Sequence, residues 1–156
     1  MYDVLSIARF IINYCNEKNI VISNLKLQKI LYFVQAYFLI TFNRPCFREN
    51  IEAWDFGPVV PEAYHEFKQY GSGNIPKVNK YLIYDNKDWY YEEYNADIIT
   101  DNDRRAIQAV INEFSGYTAT DLVRLTHSQD PWNNAYVSGA NNIITNESIE
   151  EYFNAE

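Results

Sequence analysis

The residues able to carry covalent or metal chemistry are few: Cys15, Cys46, His65 and His127, scattered between positions 15 and 127. None has a second ligand at Cys-x-x-Cys or His-x-x-x-His spacing, so no metal centre is expected. A thiol nucleophile needs a histidine beside it and a turn that exposes it. No glycine-rich turn surrounds either cysteine, and Cys46, after Arg44-Pro45, reads as a loop or strand residue. The pairs Glu62/Glu66 and Glu92/Glu93 are spaced like ordinary exposed carboxylates, no serine stands in Gly-x-Ser-x-Gly, and there is no Walker or dinucleotide glycine pattern. No catalytic residue and no cofactor is therefore expected. His127 remains of interest because it lies between a helix end and Asp130-Pro131-Trp132. Two readings of it stand: its imidazole hydrogen-bonds the last carbonyls of the preceding helix, where positive charge is favoured, or it contacts a partner or takes part in chemistry.

The 156 residues suit one domain spanning 1–156. With 13 basic and 21 acidic residues the net charge is −8, which argues against nucleic acid, because phosphate contacts need Lys and Arg. A DNA-binding regulator would have to build a basic face from Lys18, Lys26, Lys29, Arg44 and Arg48. Residues 1–80 carry nine basic and seven acidic side chains (+2), residues 81–156 four and fourteen (−10), so the acidic character belongs to the second half and invites a basic partner. The 14 Tyr, 9 Phe and 3 Trp are more amphipathic rings than a core of this size readily hides, and some should lie on a binding surface. Two isolated cysteines fit reduced thiols in a cytoplasmic protein. Met1-Tyr2-Asp3 lacks the basic region of a secretion signal, and the apolar run Ile30–Phe42 falls short of the ~20 residues of a membrane span, so no membrane role is expected.

The elements that would position these residues follow from periodicity and caps. Asp3 caps a first helix with Val4, Ile7, Ala8, Ile11, Ile12 and Cys15 at helical spacing. Ser23 caps a second, apolar nearly all round from Leu27 to Phe42, as a helix in the middle of a bundle should be. On it Gln28, Tyr32 and Gln35 share a stripe, either buried with satisfied hydrogen bonds or exposed as a recognition surface. Trp54 and Trp132, each flanked by turn formers, belong to the framework, and Gly57 should hold a conformation closed to a β-carbon. Helices are expected over Pro61–Tyr70, from a Thr100 cap through Phe114 to a stop at Gly116, from Thr118 or Thr120, at Pro131, and after Thr145 or Asn146, with a polar connection from Asn133 to Asn142. The class is mainly α: a compact helical bundle around a central hydrophobic helix, about residues 23–42, with a small β-hairpin or irregular arm near 80–97 turning at Asp85-Asn86-Lys87-Asp88.

Three runs are similar to the signatures of one family: Leu25-Lys-Leu-Gln-Lys-Ile-Leu-Tyr-Phe-Val-Gln-Ala-Tyr37, Ile51-Glu-Ala-Trp-Asp-Phe-Gly-Pro-Val-Val-Pro-Glu-Ala-Tyr64 and Leu125-Thr-His-Ser-Gln-Asp-Pro-Trp132. They resemble the Panacea domain, the SocA-like antitoxin domain often labelled a phage-associated protein. The motif residues are Gln28, Tyr32, Gln35, Trp54, Gly57, Pro58, Pro61, His127, Pro131 and Trp132. The resemblance runs from about residue 3 to 153, except over 76–97, where the tyrosine-rich arm matches no pattern. It implies a helical antitoxin of a toxin–antitoxin system, a binding protein and not an enzyme, which neutralises a cognate toxin encoded by a neighbouring gene through direct contact. A proteolytic adaptor that presents a partner to a protease, or an uncharacterised prophage enzyme, are the alternatives. The partner-binding residues expected from composition are Trp89, Tyr90, Tyr91, Glu92, Glu93 and Tyr94, rings beside carboxylates; the other reading of this arm is a solvated hairpin whose rings lie on the core.

Overall fold

A computed structural model describes residues 1–155. The chain is mainly α-helical: α1 (Val4–Glu17), α2 (Asn24–Phe42), α3 (Pro61–Phe67), α4 (Asp101–Glu113), α5 (Ala119–His127), α6 (Asp130–Ala135) and α7 (Asn146–Asn154). Strands β1 (Ile51–Trp54), β2 (Gly57–Val59) and β5 (Ile143–Ile144) form a small antiparallel sheet in the order β2-β1-β5. Strands β3 (Lys80–Asp85) and β4 (Asp88–Glu93) form a separate hairpin. Among the described residues no helix is long and apolar enough to cross a membrane.

The helix starts follow the side chains available to satisfy free N-terminal N–H groups. Asp3 accepts from Leu5 and Ser6, Ser23 from Lys26, Thr100 from Asp103 and Thr145 from Ser148, while Thr118 and Asp121 form a reciprocal capping box. Three boundaries differ from expectation. The segment Pro61–Tyr70 is α-helical only to Phe67 and ends in a 3-10 turn over Lys68–Tyr70. α4 leaves helical geometry at Phe114, before Gly116 is reached, and α6 continues to Ala135, into the stretch expected to be connection.

α2 packs against α1, α3, α4, α5, α7 and β2. Its residues are buried from Asn24 to Ala36 with the exception of Leu25, polar and charged ones included. That burial takes two of the five candidates for a basic face inside, Lys29 fully enclosed and Lys26 buried; Arg44 makes a 2.8 Å ion pair with Asp103, and Lys18 and Arg48 stay exposed. The three-stranded sheet was not anticipated. Its strands are two to four residues long, too short for an alternation to register, and Pro58 sits in one of them. β2 is tied to α2 by hydrogen bonds from Lys29 to Pro58 and from Val60 to Gln28.

Candidate functional site

The residues expected to matter fall into two separate sets, one buried and one exposed. In the buried set the stripe on α2 is wholly interior, so its reading as a recognition surface is wrong. Each polar group on it reaches a different element. Gln28 accepts from the Val60 N–H (2.9 Å) and donates to Asn24 (2.9 Å), whose amide donates in turn to the Tyr64 carbonyl (3.0 Å). Tyr32 donates to Gln129 at 2.8 Å. The Gln35 carbonyl accepts from the N–H groups of Cys46 (2.8 Å) and Phe47 (3.2 Å), and its amide donates to the Phe47 carbonyl (3.0 Å). A backbone group buried without a partner costs about 1–3 kcal/mol, so these side chains do for an irregular loop and a short sheet what a ladder does for a long one.

The second and third motifs close onto the same helix. Pro58 supplies the carbonyl that accepts from Lys29 Nζ at 3.0 Å, and Pro61 occupies the first turn of α3. Gly57 has φ +108°, as expected of a position closed to a β-carbon. Trp132, started on its helix by Pro131, donates through Nε1 to the Trp54 carbonyl at 2.8 Å and is 9% exposed, whereas Trp54 itself is half-buried, its ring edge-on to Tyr64 at 5.0 Å. The reading of His127 needs correction. The carbonyl of His127 accepts from Asn133, not from an imidazole, and the ring lies flat on Trp132 with centroids 3.9 Å apart. Burial lowers the His127 pKa, opposed by a hydrogen bond with the Asp55 backbone, and Nε2 has no partner among the described residues.

Lys29 is the interior residue that sequence reasoning misplaced. Its Nζ has a carbonyl partner but no carboxylate, and burial pulls its pKa down to about 7. The unfolded chain would hold that proton up to about pH 10.5, so between pH 7 and 10.5 it binds more protons than the folded chain and stability rises with pH. Below pH 7 both states are protonated and the burial penalty is felt in full. Lys29→Met should therefore unfold at higher urea than the parent at pH 7, with the advantage shrinking as pH approaches 10; an advantage that is constant across that range, or a loss at pH 7, would contradict the assignment. The two thiols are buried and unpaired, with Cys15 pushed up to about 11 by desolvation and Cys46 pushed higher still, so neither is a thiolate at neutral pH.

The exposed set is the β3–β4 hairpin. Asn86 and Lys87 both have positive φ (50° and 64°), which makes a two-residue turn whose twist suits a hairpin. The turn sets the register, Tyr84 opposite Trp89, Leu82 opposite Tyr91 and Lys80 opposite Glu93. These pairs share the outer face, where Leu82, Tyr84, Trp89 and Tyr91 are 47, 56, 61 and 64% exposed. The Tyr84 and Trp89 rings pair at 4.9 Å, and Lys80 Nζ lies 4.6 Å from the Tyr91 ring centre. The expected residues thus divide: Trp89, Tyr91 and Glu93 face outward, Tyr90 and Glu92 lie on the opposite face, and Tyr94, beyond the strand, is half-buried and bonded to Asn13. The rings of Trp89, Tyr90 and Tyr91 do not lie on the core. Leu82 and Tyr84 were not among the expected contacts, although a two-residue turn at Asn86-Lys87 by itself places them opposite Tyr91 and Trp89. Arg9 anchors the inner face by stacking on Tyr81 at 3.4 Å, and Asn13 exchanges two hydrogen bonds with Val78 (2.7 and 2.8 Å).

Among the concave features bordering the motifs is a cleft of about 490 Å³ between the start of α2, the β1–β2 turn and α3, with Trp54, Phe56 and Tyr64 on its wall. Of its polar lining residues, Asn24 and Gln28 are committed to the internal bonds described above, and Asp55 accepts from the Tyr136 hydroxyl at 2.5 Å.

The model of the family described as "Antitoxin SocA-like, Panacea domain" matches residues 27–133. This chain belongs to that family. The Antitoxin SocA of Caulobacter vibrioides (strain NA1000 / CB15N) is 33% identical over 142 residues, covering 83% of this chain and 68% of that protein. No solved structure matches. The Panacea segment begins within α2 and ends within α6, so it contains Gln28, Lys29, Tyr32, Gln35, Gly57, Gln129 and Trp132, the residues that lock sheet and helices together, and it contains the hairpin as well.

Proposed function

We propose that this Panacea domain is an antitoxin that neutralises a cognate toxin by direct protein–protein binding, acting as a binding protein and not as an enzyme, with the β3–β4 hairpin as its recognition surface. Membership of the SocA-like family and the likeness to an antitoxin support the class. The observation that carries the surface is the outer face of the hairpin: Leu82, Tyr84, Trp89 and Tyr91 side by side and exposed, on a two-stranded element that would be marginal by itself in water. Large rings at low conformational cost are what binding hot spots use, and the carboxylates of the acidic second half steer a basic partner. Gln28, Tyr32, Gln35 and Trp132 play no direct part in this, because their polar groups are turned inward and already paired.

The test is growth rescue. The chain is co-expressed with the product of each gene flanking its own, as parent and as a variant in which residues 85–94 are replaced by a Gly/Ser linker. The variant should melt close to the parent, because, of the removed rings, Trp89, Tyr90 and Tyr91 lie outside the core and Tyr94 is half-buried, and it should fail to rescue. Rescue equal to the parent's by a folded variant would remove the hairpin as the recognition surface.

A further inference from the structure

Resting on that reading of the hairpin, we infer that the outer edge of β4 receives an extended segment of the toxin as an added strand, one whose side chains alternate between apolar and basic. The hydrogen-bond parity of the hairpin sets which backbone groups are free. The Tyr94 N–H donates to the Asn79 carbonyl at 2.9 Å, in line with the β3–β4 register, so the pairs that exchange ladder bonds are 79↔94, 81↔92, 83↔90 and 85↔88. The intervening residues Trp89, Tyr91 and Glu93 then direct their N–H and C=O groups away from β3. The Trp89 N–H is occupied by the Asp88 carboxylate at 2.9 Å; those of Tyr91 and Glu93 have no acceptor outside the ladder among the described residues. Two donors two residues apart, with the outward carbonyls of the same strand, are what an incoming strand pairs with.

Charge and exposure select the edge and its occupant. All six residues of β4 are exposed, whereas Tyr81 and Ile83 of β3 are half-buried. From Asp88 to Asp97 there are four acidic residues and no basic one, while β3 and the turn carry Lys80 and Lys87. A second copy of this chain, added edge to edge, would set one acidic strand against another, and like charges opposite each other are destabilising. A basic strand would place its apolar side chains beside Trp89 and Tyr91 on the outer face and its basic ones beside Asp88 and Glu92 on the inner face.

Amide hydrogen exchange on the chain alone, and on its complex with the flanking-gene toxin that it neutralises, reads this edge directly. Exchange at Tyr91 and Glu93 should slow about tenfold or more in the complex. Glu93→Pro removes an edge donor without touching a ladder bond and should weaken the complex about tenfold, whereas Glu93→Gln, which keeps the N–H, should lose no more than about threefold. If Tyr91 and Glu93 exchange as fast in the complex as in the free chain, strand addition is wrong. In that case a linker variant that fails to rescue leaves the hairpin as a recognition surface through its side chains alone, and one that rescues removes the underlying reading as well.

Discussion

Trp132→Ala should cost the domain about 3–5 kcal/mol, a large part of the ~5–15 kcal/mol available to a fold of this size. The indole is the middle of a three-ring stack: His127 covers one side at 3.9 Å and Tyr136 the other at 4.5 Å, the planes within 18° of parallel. Alanine removes both contacts, opens a cavity beneath α6 and leaves the Trp54 carbonyl without the donor that ties β1 to this helix. Trp132→Phe separates the two losses, since it retains much of the stack and forfeits only the hydrogen bond, for about 1–2 kcal/mol. Urea titrations followed by far-ultraviolet circular dichroism measure both. An alanine variant melting within a degree or two of the parent would show that the stack is ornament.

The second large effect belongs to Gly57→Ala. At φ +108° an L residue is strained before any neighbour is considered, and a methyl group there would stand 2.7 Å from Lys29 Cε and 2.9 Å from Thr126 Oγ1. Neither can withdraw: Lys29 is fully buried with its amine on Pro58, and the Thr126 hydroxyl donates to the Leu122 carbonyl at 2.9 Å. Strain and overpacking of this kind cost about 1–3 kcal/mol each. Removing the obstructing stem in Gly57→Ala/Lys29→Ala should make the double variant lose less than the sum of the singles, the difference reporting the steric share. A single Gly57→Ala variant within about 0.5 kcal/mol of the parent would refute the argument.

Helix starts were legible in the sequence because a cap is a local event: Asp3, Ser23, Thr100, Thr118 and Thr145 lie two or three residues from the N–H groups they satisfy. The hairpin turn was legible for the same reason. Less visible was anything whose partner lies far along the chain. Periodicity placed Gln28, Tyr32 and Gln35 on one stripe and favoured burial with satisfied hydrogen bonds, but it could not say that Val60, Gln129 and Cys46 would meet them, so exposure stayed open as the second reading. Lys29 failed on the same ground, since a lysine on a helix looks solvent-facing until the sheet that covers it is known. The sheet itself escaped because β5, two residues long, joins β1 from more than eighty positions away. Of the candidate recognition surface, composition picked out the strand, and only the register revealed which half of it faces outward.

The packing of α2 also dictates the order in which the protein can be completed as it is made. Tyr32 is satisfied by Gln129, and Phe153 lies against the rings of Tyr32 and Phe33 at 6.0 and 6.3 Å, so one flank of the most apolar helix is closed by residues translated more than eighty positions after it. A nascent chain that has passed α6 but not α7 presents that flank uncovered. Non-local closure of this kind is slow and leaves sticky surface open to chaperones and proteases meanwhile. Ribosome stalling or premature termination before Asn146 would therefore yield a degradable polypeptide rather than a shortened but working domain.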